Sequence, residues 1–405
     1  MKLFEIPQQY RSHIISQIKT ARKSEDPRKQ DFTPTELDFG PIRFLIARHF
    51  GFCYGVENAI EIAHKTIDEN PGKRIFLLSE MIHNPVVNAD LQELGINFIM
   101  DNYGNQMIPW NEITSSDVVI IPAFGTTIDT ERLLTEKGID IVKYNTTCPF
   151  VERVWNKAAA LGKNNFTVVI HGKAKHEETR ATFSHTINNT SSVIIRNLDE
   201  AQFLCEIILN LKEKEEFYSF FDGKYSPKFD VEKDLVKIGV VNQTTMLASE
   251  TQAIANMLRE ALAKKYGDNN IAEHYADTRD TLCYATNDNQ SATKALAQEK
   301  ADLAIVIGGY NSSNTSHLVE LLEDKFPTYF ISDADKIISK EEIAHFNLHT
   351  REEISTKKFL PENDPITIAI TSGASCPDSI VDAVLNKLLS FYDEKVNLEE
   401  GLSRK

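Results

Sequence analysis

From Ile42 onward the chain alternates short apolar, β-branched runs with longer helical patterns, and this alternation restricts it to a mixed α/β fold. The runs are Ile42–Ala47, Arg74–Leu78, Val118–Ile121, Thr167–His171, Lys237–Val241, Ala304–Ile307 and Thr367–Thr371. Helical patterns lie between them, among them Val56–Asp68, Val151–Gly162, Ser249–Ala263, Asn289–Glu299 and Ile380–Leu389. Strands that are apolar on both faces and separated by helices predict parallel-rich sheets covered on both sides. In such folds ligands gather where strands end and helices begin. At 405 residues the chain exceeds one typical hydrophobic core, so two or three domains are expected.

The strand ends carry the unusual residues. Pro122-Ala123-Phe124-Gly125-Thr126-Thr127, His171-Gly172-Lys173-Ala174-Lys175-His176-Glu177-Glu178 and Gly308-Gly309-Tyr310-Asn311-Ser312-Ser313-Asn314 each turn a strand into a polar tip. Thr147-Cys148-Pro149 and Ser375-Cys376-Pro377 share a small–Cys–Pro form, with proline suited to the first turn of a helix. These similar tips read as a weak internal repeat of an α/β unit. The resulting division is an N-terminal extension (1–40), three α/β lobes (41–146, 147–280 and 281–392) and a polar tail (393–405). The extension is read as an appendage, and the charged, aromatic stretch Leu211–Asp234 as a less ordered insertion.

Charge narrows the function classes. With 44 basic against 59 acidic residues the net charge is −15, which argues against broad binding to nucleic acid or to an anionic membrane. No apolar run approaches the roughly 20 residues that span a bilayer. The first forty residues show no apolar signal core, and their six acidic and seven basic residues do not make an obvious transit peptide. A cytoplasmic location is therefore expected. The five cysteines are odd in number and contain no C-x-x-C pair, so free thiols, metal ligands or a catalytic thiol are expected rather than a disulfide framework.

Three of those cysteines stand at turns or helix starts: Cys53 in Gly51-Phe52-Cys53-Tyr54-Gly55, Cys148 before Pro149, and Cys283 ahead of the pattern from Asn289. A thiol at a helix N-terminus is predisposed to act as ligand or nucleophile, although a small buried core residue is the plainer reading of each. Cys205 lies in an apolar helical pattern and is read as core. His83, His171 and His176, with Lys173 and Lys175, supply groups that bind phosphate oxygens. Glu177 and Glu178 offer a carboxyl at a strand tip, suited to proton transfer or simply to a helix start. The run Asn311–Ser316 exceeds what an N-cap needs and favours an anion cradle; Thr371–Ser375 and Asn242–Thr245 are tips of the same kind.

Taken in order, these tips resemble the 4-hydroxy-3-methylbut-2-enyl diphosphate reductase (LytB) family, the last enzyme of the methylerythritol phosphate route to isoprenoids. The resemblance runs from about Arg43 to Leu389. It is carried by Gly51-Phe52-Cys53-x-Gly55-Val56, Ile82-His83-Asn84, Thr147-Cys148-Pro149, His176-Glu177-Glu178, Asn242-Gln243-Thr244-Thr245, Cys283-Tyr284-Ala285-Thr286, Asn311-Ser312-Ser313-Asn314 and Ser372-Gly373-Ala374-Ser375. It implies three similar α/β lobes around a central four-iron four-sulfur cluster, with Cys53, Cys148 and Cys283 as thiolate ligands and one iron left open. It further implies that His83, His176, Ser312, Ser313, Asn314 and Ser375 hold the substrate diphosphate. Thr244 then binds and orients the substrate hydroxyl and Glu178 supplies protons. The implied reaction is a two-electron reductive dehydroxylation giving isopentenyl and dimethylallyl diphosphate, with electrons from a donor such as ferredoxin or flavodoxin.

Two departures stand out. Where many members carry His-Gly this chain has Phe124-Gly125, and a phenyl ring cannot bind phosphate; Lys173 and Lys175 are the basic residues placed to compensate. That Ala-Phe-Gly form and the N-terminal extension resemble the plant and cyanobacterial branch. The other departure is Cys376, beside Ser375 but off every ligand position. Two rival functions share some of these residues: a redox-silent hydro-lyase using the cluster as a Lewis acid, which would work without reductant, and a non-enzymatic ligand-binding protein whose cysteines are core. Eight motifs in order favour the reductase.

Overall fold

A computed structural model describes residues 4–28, 30–278 and 281–392; the tail at 393–405 lies outside the described residues. It forms two compact units, Met1–Glu57 with His83–Ala89 and Tyr284–Lys405, and Asn58–Ile82 with Asp90–Cys283. This differs from five consecutive segments. The reason is a non-local pairing: strand Ile42–Ile46, at the head of the expected first lobe, pairs in parallel with Ile366–Ser372 near the end of the chain.

In the first unit that pair sits in a five-stranded sheet ordered Thr35–Asp38, Ile42–Ile46, Ile366–Ser372, Leu303–Ile307, Thr328–Ile331, in which every pairing is parallel except that between the first two strands. Alternate side chains separate cleanly to its two faces, as the period-2 geometry of a strand requires. Leu303, Ile305 and Ile307 pack with Ile366, Ile368, Ile370 and helix Asp378–Leu389. Ala304 and Val306 pack on the opposite face with Ala292, Leu296, Leu318 and Leu322. A separate antiparallel sheet, Ile337–Ser339, Glu342–Asn347 and Glu352–Lys357, belongs to the same unit.

The N-terminal residues are part of this unit and not an appendage. Helix His13–Glu25 starts at Ser12, whose hydroxyl accepts the Ile15 N–H at 3.1 Å. Ile15 and Ile18 are buried in the core beneath the sheet. One turn on, the buried Arg22 guanidinium donates to the carbonyls of Ala47 and Arg48, each at 3.0 Å, and to Thr35. Burial and the neighbouring Arg48 pull its pKa down to about 9, which still leaves it charged at neutral pH. Lys19 pairs with Asp378 at 2.6 Å. Strand Thr35–Asp38 then completes the sheet edge.

The second unit holds two further sheets, Ile96–Phe98/Ile75–Leu77/Val118–Ile120 and Ser192–Ile195/Thr167–His171/Ile238–Asn242/Tyr275–Ala276, all parallel. The stretch Leu211–Asp234 is folded here, contrary to expectation. Helices Lys214–Phe220 and Val231–Asp234 bring Phe217, Phe221, Phe229 and Val231 into one core with Leu204, Ile207 and Ile208. Phe217 stacks on Phe229 with centroids 4.9 Å apart, so the aromatic residues are buried area rather than surface decoration. No helix of the described residues is long and apolar enough to cross a membrane.

Docking of the N-terminal helix is directly testable. Ile15→Ala empties a fully buried position and is expected to cost about 2–5 kcal/mol, read as a lowered denaturant midpoint. An undocked appendage would leave the midpoint unchanged.

Candidate functional site

In the first unit, tips from separate segments are locked together around one backbone residue. Ala374 follows strand Ile366–Ser372. Its carbonyl accepts the Cys53 N–H at 3.2 Å, and its own N–H donates to Asn314 Oδ1 at 2.9 Å. Next to it, Ser375 Oγ donates to the His83 carbonyl at 3.0 Å. The structure thus brings Cys53, His83, Asn314 and Ser375 into one network. Gly51 makes the Cys53 turn possible: its φ is +77°, and a Cβ there would lie 2.7 Å from Asp378 Oδ1.

Ser312 caps helix Ser313–Glu323, accepting the Thr315 N–H at 3.2 Å, and Ser312, Ser313 and Asn314 are all buried. Because Asn314 Oδ1 is engaged, its Nδ2 is fixed as a donor, and Nδ2 has no partner among the described residues. The same holds for Asn84 Nδ2, whose Oδ1 accepts from the Val86 and Val87 N–H groups at 3.1 and 3.2 Å. His317 Nε2 is also buried without a partner, but its Nδ1–H donates to Glu320 at 2.6 Å, so in the neutral ring Nε2 is an acceptor and not one of these donors. Buried donors left unmatched at a helix start are costly unless a ligand accepts from them. An anion with several oxygens, such as a diphosphate, fits that requirement. Asn84 was not singled out in the sequence, although it stood in the Ile82-His83-Asn84 motif.

A cavity of about 320 Å³ opens beside Cys53, lined by Lys19, Arg48, Phe52, Glu57, Tyr284 and Asn289 among others. Cys376 is fully buried, and burial pushes its thiol up to about 12, consistent with an inert core residue. Cys205 behaves alike in its own core.

In the second unit, Cys148 is the N-cap residue of helix Pro149–Lys163, with Pro149 in the first turn, and its N–H donates to the Ala123 carbonyl at 3.0 Å. Burial, with a smaller contribution from the nearby Cys283 and Glu178, pushes its thiol up to about 12. Cys283 and Glu178 therefore both lie within electrostatic reach of Cys148. A thiol in that setting ionises only against a strong positive charge, which the irons of an iron–sulfur cluster provide. The donor set fits such a group, although no cluster of three or more His, Cys, Asp or Glu side chains gathered for a single metal ion is present among the described residues.

Glu178 lies in the first turn of helix Glu177–Ile187, 1% exposed. Its carboxylate accepts from both the backbone N–H and the hydroxyl of Thr244, the latter at 2.9 Å. The catalytic pair read from the sequence is thus in direct contact. His176 caps the same helix, its Nδ1 accepting the Glu178 N–H at 3.2 Å, so the proton of the neutral ring sits on Nε2. Phe124 stands edge-on to that imidazole at 5.6 Å. Buried Gln243 ties the tips: its Oε1 accepts from the Lys173 N–H at 3.1 Å and Thr179 Oγ1 at 3.0 Å, and its Nε2 donates to Thr245 at 2.7 Å. Sequence reading placed Gln243 in a polar tip without seeing that it cross-links two of them.

The family model of the LytB protein matches residues 44–389. Among similar proteins, the 4-hydroxy-3-methylbut-2-enyl diphosphate reductase of Synechococcus sp. strain RCC307 is 43% identical over 359 residues, 88% of this chain and 86% of that protein. The protein of the same name from Cyanothece sp. is 40% identical over 384 residues, 94% of this chain and 89% of its own. The solved structure of the E-1-hydroxy-2-methyl-but-2-enyl-4-diphosphate reductase from Plasmodium falciparum has a similar fold, with a TM-score of 0.62 at 20% identity, covering 90% of this chain and 98% of that one. The match spans both units and every tip described above, and the chain belongs to the LytB family.

Proposed function

We propose that this chain is an oxidoreductase that converts 4-hydroxy-3-methylbut-2-enyl diphosphate to isopentenyl and dimethylallyl diphosphate, the last step of the methylerythritol phosphate pathway. The observation that carries the substrate class is the pair of buried, partnerless amide donors at Asn84 and Asn314 beside the Ser312 cap. They ask for a polyanion, and the family relationship supplies one.

We further propose that Cys53, Cys148 and Cys283 hold a four-iron four-sulfur cluster with one iron not ligated by the protein. When bound, such a cluster passes electrons one at a time and assists departure of a hydroxyl. The reaction consumes two electrons and two protons and releases one water; a one-electron carrier such as ferredoxin or flavodoxin is the proposed source of the electrons. Ser312, Ser313, Asn314, His83, His176 and Ser375 bind diphosphate oxygens. His176 does so through Nε2–H, since Nδ1 already accepts from the backbone. Thr244 binds and orients the substrate hydroxyl, and Glu178, joined to Thr244 through its hydroxyl, holds and delivers protons. Burial of this pair excludes bulk water from the proton path.

Cluster ligation predicts a division among the cysteines. Cys53→Ser, Cys148→Ser and Cys283→Ser proteins, purified anaerobically, are expected to lose iron, sulfide and visible absorption; Cys205→Ser and Cys376→Ser are expected to keep them. Like behaviour of all five would end the assignment.

Glu178→Gln keeps the shape and removes the acid, so kcat should fall by about 10²- to 10⁴-fold while iron content stays that of the wild type. A variant with unchanged kcat would remove Glu178 from proton delivery.

Asn314→Ala deletes both the donor and its anchor on Ala374. Loss of one hydrogen bond to a charged group corresponds to a KM for the diphosphate substrate raised about 10- to 100-fold. An unaltered KM would place the anion elsewhere.

A further inference from the structure

Tyr310 stands between Gly309 and the serine tip, and the antiparallel sheet grips it. Its ring stacks on Phe346 with centroids 4.7 Å apart and planes at 14°, and meets Phe330 edge-on at 5.1 Å. Its hydroxyl donates to Glu353 Oε2 at 3.0 Å, and Lys336 holds the same carboxylate at 2.6 Å. Phe346 and Glu353 are direct cross-strand partners in the ladder between Glu342–Asn347 and Glu352–Lys357. One ring is therefore held by both members of a cross-strand pair, one by its face and the other by its hydroxyl.

The neighbouring residue is fixed from another side. A Cβ on Gly309 would collide with the His83 carbonyl, the same carbonyl that accepts Ser375 Oγ. The Gly309 carbonyl in turn accepts the Ser312 N–H at 3.0 Å. Gly309-Tyr310 is thus a bracket with the antiparallel sheet at one end and the His83–Ser375 contact at the other, and the Ser312 cap hangs directly from it. Strand Glu352–Lys357 is largely exposed, and its contact with Tyr310 is what ties it to a strand tip.

We propose that Tyr310, clamped by Phe346 and Glu353, is a positioning residue that sets the anion-binding tip Ser312–Asn314, so that the antiparallel sheet governs substrate affinity without touching substrate. This rests on the diphosphate reading of that tip. Tyr310 itself donates nothing to the anion, since its hydroxyl is spent on Glu353. The effect belongs in binding rather than in the chemical step, because the Glu178–Thr244 pair is a separate construction.

The test is calorimetric titration of the purified holoenzyme with inorganic diphosphate, alongside steady-state kinetics, for the wild type, Tyr310→Ala, Tyr310→Phe and Glu353→Gln. Loss of the stacked ring in Tyr310→Ala should weaken diphosphate binding and raise KM by about three- to tenfold, with kcat within about twofold of the wild type. Tyr310→Phe, which keeps the ring, should recover most of that loss. Diphosphate affinity unchanged in Tyr310→Ala, or a fall confined to kcat, overturns the proposal. Should Tyr310→Ala fail to fold, Glu353→Gln at a half-exposed surface carboxylate decides instead: weaker binding supports the clamp, and wild-type binding overturns it. A wild-type protein that does not bind diphosphate would overturn the reading of the tip itself, an outcome distinct from a clamp that has no effect.

Discussion

The peptide of Ala374 is the constraint on which the first unit's chemistry depends. One residue spends its carbonyl on the Cys53 N–H and its N–H on Asn314 Oδ1. A thiol turn and the proposed anion-binding tip, some 260 positions apart in the chain, are thereby held by adjacent bonds of one backbone. Ala374 can do this only because strand Ile366–Ser372 is central, flanked by Ile42–Ile46 and Leu303–Ile307, so that its tip lies between the tips that carry Cys53 and Ser312. A buried parallel sheet is a stiff support, and its rigidity passes directly to the donors at its end.

The second unit solves the corresponding problem with side chains. Gln243 occupies the end of a strand and bonds the following turn, the neighbouring tip at Lys173 and the helix at Thr179. Thr244, one residue on, is therefore presented to Glu178 from a fixed strand end. Both oxygens of that carboxylate are engaged by the same residue, which leaves its orientation no freedom. Such preorganisation suits the proton delivery proposed for Glu178, in which the donor must meet the reacting atom at hydrogen-bond distance.

How much of this was legible depends on whether the signal was local. The seven apolar runs became strands within a residue or two, and the helices followed, because period and strand-end chemistry are written in neighbouring residues. The tips were likewise legible as polar runs at helix starts. The partition was not, because the Ile42–Ile46 pairing with Ile366–Ser372 leaves no trace in either segment. The N-terminal helix misled for another reason: its buried stripe reads Ile15, Ile18, Arg22, and a buried arginine bonded to strand-end carbonyls looks like surface in a sequence. Leu211–Asp234 misled through composition, since the lysines and glutamates that flank the aromatics concealed that Phe217 and Phe221 are four apart on one helical face. The antiparallel sheet was missed because its outer strand is mostly polar and exposed.

Phe124 shows how a departure from a family pattern can be absorbed by geometry. A phenyl ring cannot donate to phosphate, so the substitution removes any contact that a histidine would make there. Its edge nevertheless packs against the His176 imidazole, nearly perpendicular at 85°. That ring is already committed at Nδ1 to the Glu178 N–H. Two constraints from different directions, one apolar and one hydrogen-bonded, fix the plane and the tautomer of His176 together. In the proposed site, one anion contact is given up and a neighbouring one is made rigid. A preorganised donor loses less entropy on binding than a mobile one, so the exchange need not weaken the grip on the diphosphate. Lys173 stays beside this arrangement, its backbone held by Gln243, while Lys175 is exposed. If a basic side chain replaces the lost contact, Lys173 is the one whose position the fold controls.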